Sequence, residues 1–317
     1  MKKKLLVTGS CGFVFSNFIR QSVKENQPYD IISIDKVTKP ENLHNIYANR
    51  SHKFYLGDIS DKHFVETIFK LEQPDVIIHG AAEAPINPPN QPHSQLIKSN
   101  IGGTQVLIES ALKSNVERFI YISTGRVYDQ LKDNDQSSLE NSQLHPYDFY
   151  SATKVSGEML VKAASKTYGL NYNITRSCNI FGPKQSYQNL IPKVIRCILN
   201  KEKIPVYDQG LQIRDWMHVA DNCSAIFSIL DKAPTNQTYN ISSGCETTNL
   251  ELVNDICNIM ELGHDLISFV DKPSGYGFRY SVDNNKIKSL GWKPTFKFKD
   301  GLKHTVRFYL KNKWLLR

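Results

Sequence analysis

A doubly wound α/β fold is the architecture this sequence predicts: a parallel sheet with a smaller, discontinuous substrate-binding lobe toward the C-terminus. Three observations carry it. Short apolar runs alternate with helical patterns over the first 176 residues. The first run opens directly into a glycine turn, and the second ends on an acidic residue.

Residues 3–7 form the first run, and Thr8-Gly9-Ser10-Cys11-Gly12-Phe13-Val14-Phe15 leads into a helix. Strand, glycine turn and helix are the nucleotide-binding unit of a Rossmann sheet. Gly9 permits the tight turn, and Gly12 lets backbone approach a pyrophosphate at the helix N-terminus. Phe15 stands where a third glycine would allow close helix–strand packing. Its ring must point away from a bound dinucleotide or push the helix outward.

The second strand, 30–34, ends in Asp35. A carboxylate there accepts hydrogen bonds from the adenosine ribose and repels a 2′-phosphate, which favours NAD over NADP; neighbouring Lys36 weakens that preference. Residues 52–57 read as a third strand closing on Asp58 and Ile59. Asp58 either meets the adenine edge or caps the helix running through Phe69. The strand at 75–79 is followed by Gly80-Ala81-Ala82-Glu83, small residues that leave room for a ligand at the sheet edge, and then by a proline-rich loop over 84–92. A helix over 100–113 and a strand over 118–122 lead to Ser123-Thr124-Gly125-Arg126.

Residues 146–168 are helical and place Tyr150 and Lys154 four apart on one face. An ammonium beside a phenol favours its phenolate, and a phenol so tuned exchanges a hydroxyl proton while a hydride moves. A strand at 172–176 and a loop at 177–183 follow. Beyond them lie smaller elements: helices at 190–200, 250–260 and 302–310, strands at 204–207 and 238–241, and an exposed segment at 210–216. The division expected is a dinucleotide-binding domain over 1–176, completed by later segments, and a mainly substrate-binding lobe over 177–317.

Composition narrows the class further. The 317 residues are 40% hydrophobic and 22% charged, as in ordinary globular proteins. No apolar run reaches the ~18 residues of a membrane span. The N-terminus enters a strand with no signal-peptide pattern, so a cytoplasmic protein is expected, without membrane partners. Six dispersed cysteines lack metal-ligand spacing and read as reduced and structural. The net charge of +8 is spread along the chain without a nucleic-acid-binding motif. It suits a solvated basic surface or a phosphorylated small molecule better than a nucleic acid.

These motifs, taken together and in order, resemble the extended short-chain dehydrogenase/reductases that modify nucleotide sugars (the NAD-dependent epimerase/dehydratase family). Within it the chain is most similar to the dTDP-glucose 4,6-dehydratases. The resemblance runs nearly end to end: the Thr8–Phe13 turn, Gly57-Asp58-Ile59, Ala81-Ala82-Glu83, Ser123-Thr124, Tyr150-Ser151-Ala152-Thr153-Lys154, 174–183, 212–216, Thr248-Asn249-Leu250-Glu251, Arg279-Tyr280 and 290–294. It implies NAD as cofactor, a nucleotide-diphosphate sugar as substrate, and a homodimer formed through the helices beginning at Asn100 and Tyr147. Tyr150 would take the proton from the sugar C4 hydroxyl, Lys154 would lower its pKa and hold the nicotinamide ribose, and Thr124 would hydrogen-bond the same hydroxyl. Cofactor contacts implied are Gly9, Cys11, Gly12, Phe13, Val14, Asp35 and Lys36, with Asp58, Ile59, Ala81, Ala82, Asn100 and Ser123. Substrate contacts implied are Glu83, Gly125, Arg126, Asn179, Asn189, Leu190, Val206 and Tyr207, with Arg214 and Arg279 near the diphosphate.

The departure follows Thr124. The dehydratases place an aspartate and a glutamate there, the acid and base that eliminate the C6 hydroxyl; this chain has Gly125 and Arg126, and neither can replace its counterpart. Each lost group costs about 10²–10⁴-fold. The expectation is a C4 oxidoreductase, a 4-epimerase or 4-keto reductase. The alternatives are a dehydratase with relocated acid and base, Glu83 among the candidates, and a catalytically silent NAD-binding regulator.

Overall fold

A computed structural model describes residues 2–47, 49–84, 93–272 and 276–316. The proline-rich stretch falls outside them from residue 85 to 92. Its centre is a parallel sheet of seven strands: β1 (Lys3–Thr8), β2 (Tyr29–Asp35), β3 (His52–Leu56), β4 (Val76–His79), β5 (Arg118–Thr124), β6 (Tyr172–Ser177) and β7 (Gln237–Ile241). Their spatial order is 3-2-1-4-5-6-7. The order reverses between β1 and β4, which pair in register Leu5 to Val76 and Thr8 to His79. The carboxyl ends of the strands beside that reversal are where such sheets hold ligands.

Both faces of the sheet are covered, so the inner strands β1, β4 and β5 read as apolar runs. Leu5 and Val7 point to one side, against α1 (Phe13–Lys24) and a helix at Val219–Lys232. Leu6, Ile32 and Ile77 point to the other, against α2 (Lys62–Glu72), α3 (Thr104–Lys113) and α4 (Phe149–Tyr168). The Val219–Lys232 helix was not foreseen. It packs on α1 through Phe18 and Phe227, whose rings stack at 4.3 Å, and so completes the core from the C-terminal half.

A third apolar cluster, including Ile195, Trp216, Leu252, Ile256 and Val306, lies under the lobe. Two expectations fail in this region. The stretch 177–183 is not simply a loop: Asn179–Phe181 is a strand paired in parallel with Ile213–His218. The latter is not exposed, since Arg214 through His218 are all buried between Asn179–Phe181, Glu246–Thr248 and Arg279–Tyr280. A strand flanked on both edges can bury polar side chains only by giving them partners, and the sequence pattern does not announce those partners.

The helix expected at 146–168 begins at Phe149. Asp148 is its N-cap and forms a reciprocal capping box with Ser151. Glu158, one turn beyond Lys154, makes a bidentate ion pair with Arg176 of β6 (2.6 and 3.0 Å), and both side chains are buried. The helix is thus fixed to the sheet by a charged pair that also binds the Tyr128 hydroxyl at 2.6 Å.

Candidate active site

Two neighbouring clefts open at the carboxyl ends of the strands. The larger, about 670 Å³, is lined by Gly9, Gly12, Asp35, Lys36, Asp58, Ile59, Ala81, Ala82 and Glu83. Gly9 sits at φ +77°, and a Cβ there would lie 2.8 Å from the Ala81 backbone, so only glycine fits the turn. Asp35 holds the turn from below, its carboxylate accepting from the Cys11 amide at 2.8 Å and the Val37 amide at 2.7 Å. Burial raises the Asp35 pKa, opposed by those two amides and by Lys36. Phe13 and Val14, in the first turn of α1, are partly buried against the core behind the glycine turn.

Phe15 turns away from the cleft. Its ring packs over Gly80, where an added Cβ would lie 1.9 Å from it, and against Phe18. Gly80, on β4's exit, thus provides the space that the Phe15 ring occupies. Asp58 does not cap α2; Asp61 does, accepting from the Phe64 amide at 3.1 Å. Asp58 instead accepts from the Ser60 amide and hydroxyl, both at 2.9 Å, and lies 3.6 Å from Lys36. Lys36 also reaches Glu83 at 2.7 Å and Ser99 at 3.0 Å. Glu83 therefore belongs to the larger cleft, away from the residues after Thr124.

The smaller cleft, about 240 Å³, is lined by Thr124, Gly125, Arg126, Cys178, Asn179 and Tyr280, among others. A Cβ on Gly125 would stand 3.1 Å from Val282 and 3.2 Å from the Ser177 carbonyl, so an acidic side chain there requires Val282 to give way. The Thr124 hydroxyl accepts from the Arg126 amide at 3.3 Å, and the Ser123 hydroxyl, buried beside it, has no partner among the described residues.

Tyr150 and Lys154 stand on one face of α4, but the charges are arranged differently from expectation. The Lys154 ammonium lies over the Tyr121 ring at 4.3 Å, and burial lowers its pKa to about 7, opposed by Glu158. Burial raises the Tyr150 pKa; Arg126, whose guanidinium carbon is 5.8 Å from the Tyr150 ring, opposes that rise, and Asp148 adds to it. Arg126 is not a free solvent-facing side chain. It donates to Tyr147 at 3.1 Å and pairs with Asp148, the helix cap. The positive charge acting on the phenol thus comes from the residue that departs from the dehydratase pattern.

From Arg126 a chain of rings and guanidinium groups runs into the lobe. Tyr147 stacks on Tyr280 at 5.5 Å; Arg214 lies 4.9 Å from the Tyr280 ring and 5.2 Å from Tyr276; Tyr276 meets Tyr207 at 5.1 Å. Tyr147, Asp148 and Tyr276 were not foreseen, because their roles depend on partners far away in sequence. Arg214 donates to the carbonyls of Ile213, Phe278 and Gly277 at 2.7–2.8 Å. Arg279 pairs with Glu246 (2.5 and 2.9 Å) and donates to the carbonyls of Lys132, Asp133 and Asp135. Both arginines are buried and hold the lobe's loops to its sheet, so neither forms a surface ion pair. Asn189 caps the Leu190–Asn200 helix, and Val206 is buried in its strand beside Tyr207. Asn100 joins the two clefts' walls: its amide bonds the Glu83 backbone in both directions (2.7 and 2.9 Å) and donates to Thr153 at 2.9 Å.

A dinucleotide-binding sheet with a tyrosine–lysine helix beside it defines an oxidoreductase of the short-chain dehydrogenase type. The model of the NAD dependent epimerase/dehydratase family matches residues 5–242, and the chain belongs to that family. It is 37% identical over 309 residues to the low-salt glycan biosynthesis protein Agl12 of Haloferax volcanii, covering 96% of this chain and 98% of that one. Among solved structures it is similar to the dTDP-glucose 4,6-dehydratase DesIV of Streptomyces venezuelae, determined with NAD bound (34% identity, TM-score 0.92, 98% of each chain). It is also similar to the UDP-glucose 4-epimerase of Thermotoga maritima, determined with UDP-glucose (29% identity, TM-score 0.90, 98% of this chain and 99% of that). The backbone fits a dehydratase and an epimerase about equally well, so the side chains must decide between them. No described helix is long and apolar enough to cross a membrane.

Proposed function

We propose that this protein is an NAD-dependent oxidoreductase acting at C4 of a nucleotide-diphosphate hexose of the UDP or dTDP type, as a 4-epimerase or 4-keto reductase. The observation that carries this is the pairing of an intact Thr124–Tyr150–Lys154 set with Gly125 and Arg126 at the two positions that would eliminate water. The larger cleft suits NAD: Gly9 and Gly12 expose backbone, Asp35 closes the ribose end, and Ser123 offers an unpartnered hydroxyl. The chemistry NAD supplies when bound is hydride exchange with the carbon bearing the reacting hydroxyl.

The chain's own residues handle the proton. Tyr150 accepts it from, or returns it to, the C4 oxygen; Thr124 fixes that oxygen's direction; Arg126 favours the phenolate, and Lys154 would hold the nicotinamide ribose. Arg126 carries a permanent charge and has no proton to exchange at C5. Asn179, Tyr207, Arg214 and Arg279 frame the rest of the substrate from the lobe. A homodimer through α3 and α4 belongs to the same reading, supported by exposed Phe149 and Met159 on α4, as does a cytoplasmic location.

A nucleotide-sugar 4,6-dehydratase is the second reading, supported by the identity to DesIV and by Asp148, a carboxylate beside Arg126. Product mass spectrometry over a panel of nucleotide sugars, with release and identification of copurified cofactor, separates them. Mass-neutral conversion, or reduction of a 4-keto sugar, supports the proposal; a product lacking one water overturns it.

A further inference from the structure

A single file of buried hydrogen bonds links the glycine turn's wall to the backbone of the proposed catalytic tyrosine. The Ala81 amide donates to Thr8 Oγ1 at 3.1 Å, and Thr8 Oγ1 meets His79 Nδ1 at 2.8 Å. His79 Nε2 meets Thr104 Oγ1 at 2.8 Å, and Thr104 donates to the Asn100 carbonyl at 2.6 Å. Asn100 Nδ2 donates to Thr153 Oγ1 at 2.9 Å, and Thr153 donates to the Tyr150 carbonyl at 2.7 Å. The five side chains are at most 3% exposed.

The direction of each bond is determined. Thr104 has one proton, committed to a carbonyl, so it must accept from His79 Nε2–H. Burial and nearby Lys154 push the His79 pKa well down, so the buried ring is neutral and its one proton is the Nε2–H given to Thr104. Nδ1 therefore accepts from the Thr8 hydroxyl. An apolar residue in its place leaves the Thr8 proton without an acceptor and Thr104 without a donor in a fully buried site, a cost that buried polar groups do not escape.

We propose that His79 is a positioning residue: through Thr104, Asn100 and Thr153 it couples the cofactor-binding edge of the sheet to the first turns of α4. Filling the larger cleft fixes the Ala81 end of the file, and the file transmits that order to the segment carrying Tyr150 and Lys154. This inference rests on NAD occupying the cleft but not on which reaction follows.

The test is hydrogen exchange of the full chain, free and saturated with NAD, for wild type, His79→Leu, His79→Gln and Thr153→Val. In wild type NAD should slow exchange about tenfold or more both at 9–17 and at 150–157. His79→Leu and Thr153→Val should keep the slowing at 9–17 and lose most of it at 150–157, leaving only what direct contact of NAD with Lys154 gives. His79→Gln, which can accept at one atom and donate at the other, should restore most of it. Unchanged slowing at 150–157 in both Thr153→Val and His79→Leu overturns the coupling. Should His79→Leu fail to fold, Thr153→Val alone decides, since it cuts the file at its far end with little change of shape. Because no turnover is measured, failure of the C4 reading leaves this result intact.

Discussion

Lys154 offers a stability test with a sign that can be worked out beforehand. In an unfolded chain a lysine titrates near 10.4. Buried under α4 and over the Tyr121 ring, Lys154 is brought down to about 7. The unfolded state therefore binds this proton more tightly than the folded state, and stability rises with pH across the interval between the two values. The penalty of keeping Lys154 is about 4 kcal/mol at pH 7 and about 2 kcal/mol at pH 9. Lys154→Met removes it. In protein stripped of NAD, urea unfolding should show the variant more stable than wild type at pH 7, with the gap shrinking by about 2 kcal/mol at pH 9. Lys184, also lowered by burial to about 8, titrates in the same window but is common to both proteins and cancels. A gap that stays constant from pH 7 to pH 9 would refute the placement of the ammonium.

Further consequences can be checked alongside it. Tyr150→Phe removes the phenol proposed to exchange the C4 proton and should lower turnover by about 10²–10⁴-fold while leaving the NAD Kd, measured calorimetrically, nearly unchanged. Gly80→Ala puts a Cβ into the Phe15 ring and should destabilise by about 1–3 kcal/mol; Phe15→Ala in that background should recover part of the loss in a thermal melt. Glu158→Gln strands the buried Arg176 guanidinium and should cost about 3–5 kcal/mol in urea unfolding, far more than a surface pair. Gly125→Asp with Arg126→Glu should cost stability through Val282, measured by Tm, and should not by itself create a dehydratase, because Asp148 then loses its cationic partner.

The sheet was legible because its inner strands β1, β4 and β5, buried on both faces, announce themselves as apolar runs. Gly9, Asp35 and the Tyr150–Lys154 spacing were legible because local geometry alone demands those residue types. What escaped notice depends on distant partners. Phe15 looks like a defect until Gly80, across the sheet, supplies the missing space. Arg126 reads only as a substrate contact until Asp148 and Tyr147, about twenty residues on, are found beside it. Asp61, not Asp58, caps α2 because both lie in one acidic turn and only the backbone path selects between them. The strand at Ile213–His218 carries Arg214, Asp215 and His218, and its polarity hid it. Arg214 and Asp215 are satisfied by loops 28 to 63 residues away.

The central claim is that this site moves a hydride at C4 without eliminating water. Incubation with UDP- or dTDP-glucose in deuterated water, followed by mass spectrometry and NMR of the sugar, tests it most directly. The account predicts a C4-altered hexose, or none from these two sugars but reduction of a supplied 4-keto sugar, with the C6 hydroxyl kept and no deuterium at C5. Accumulation of a 4-keto-6-deoxy sugar carrying solvent deuterium at C5 would contradict it.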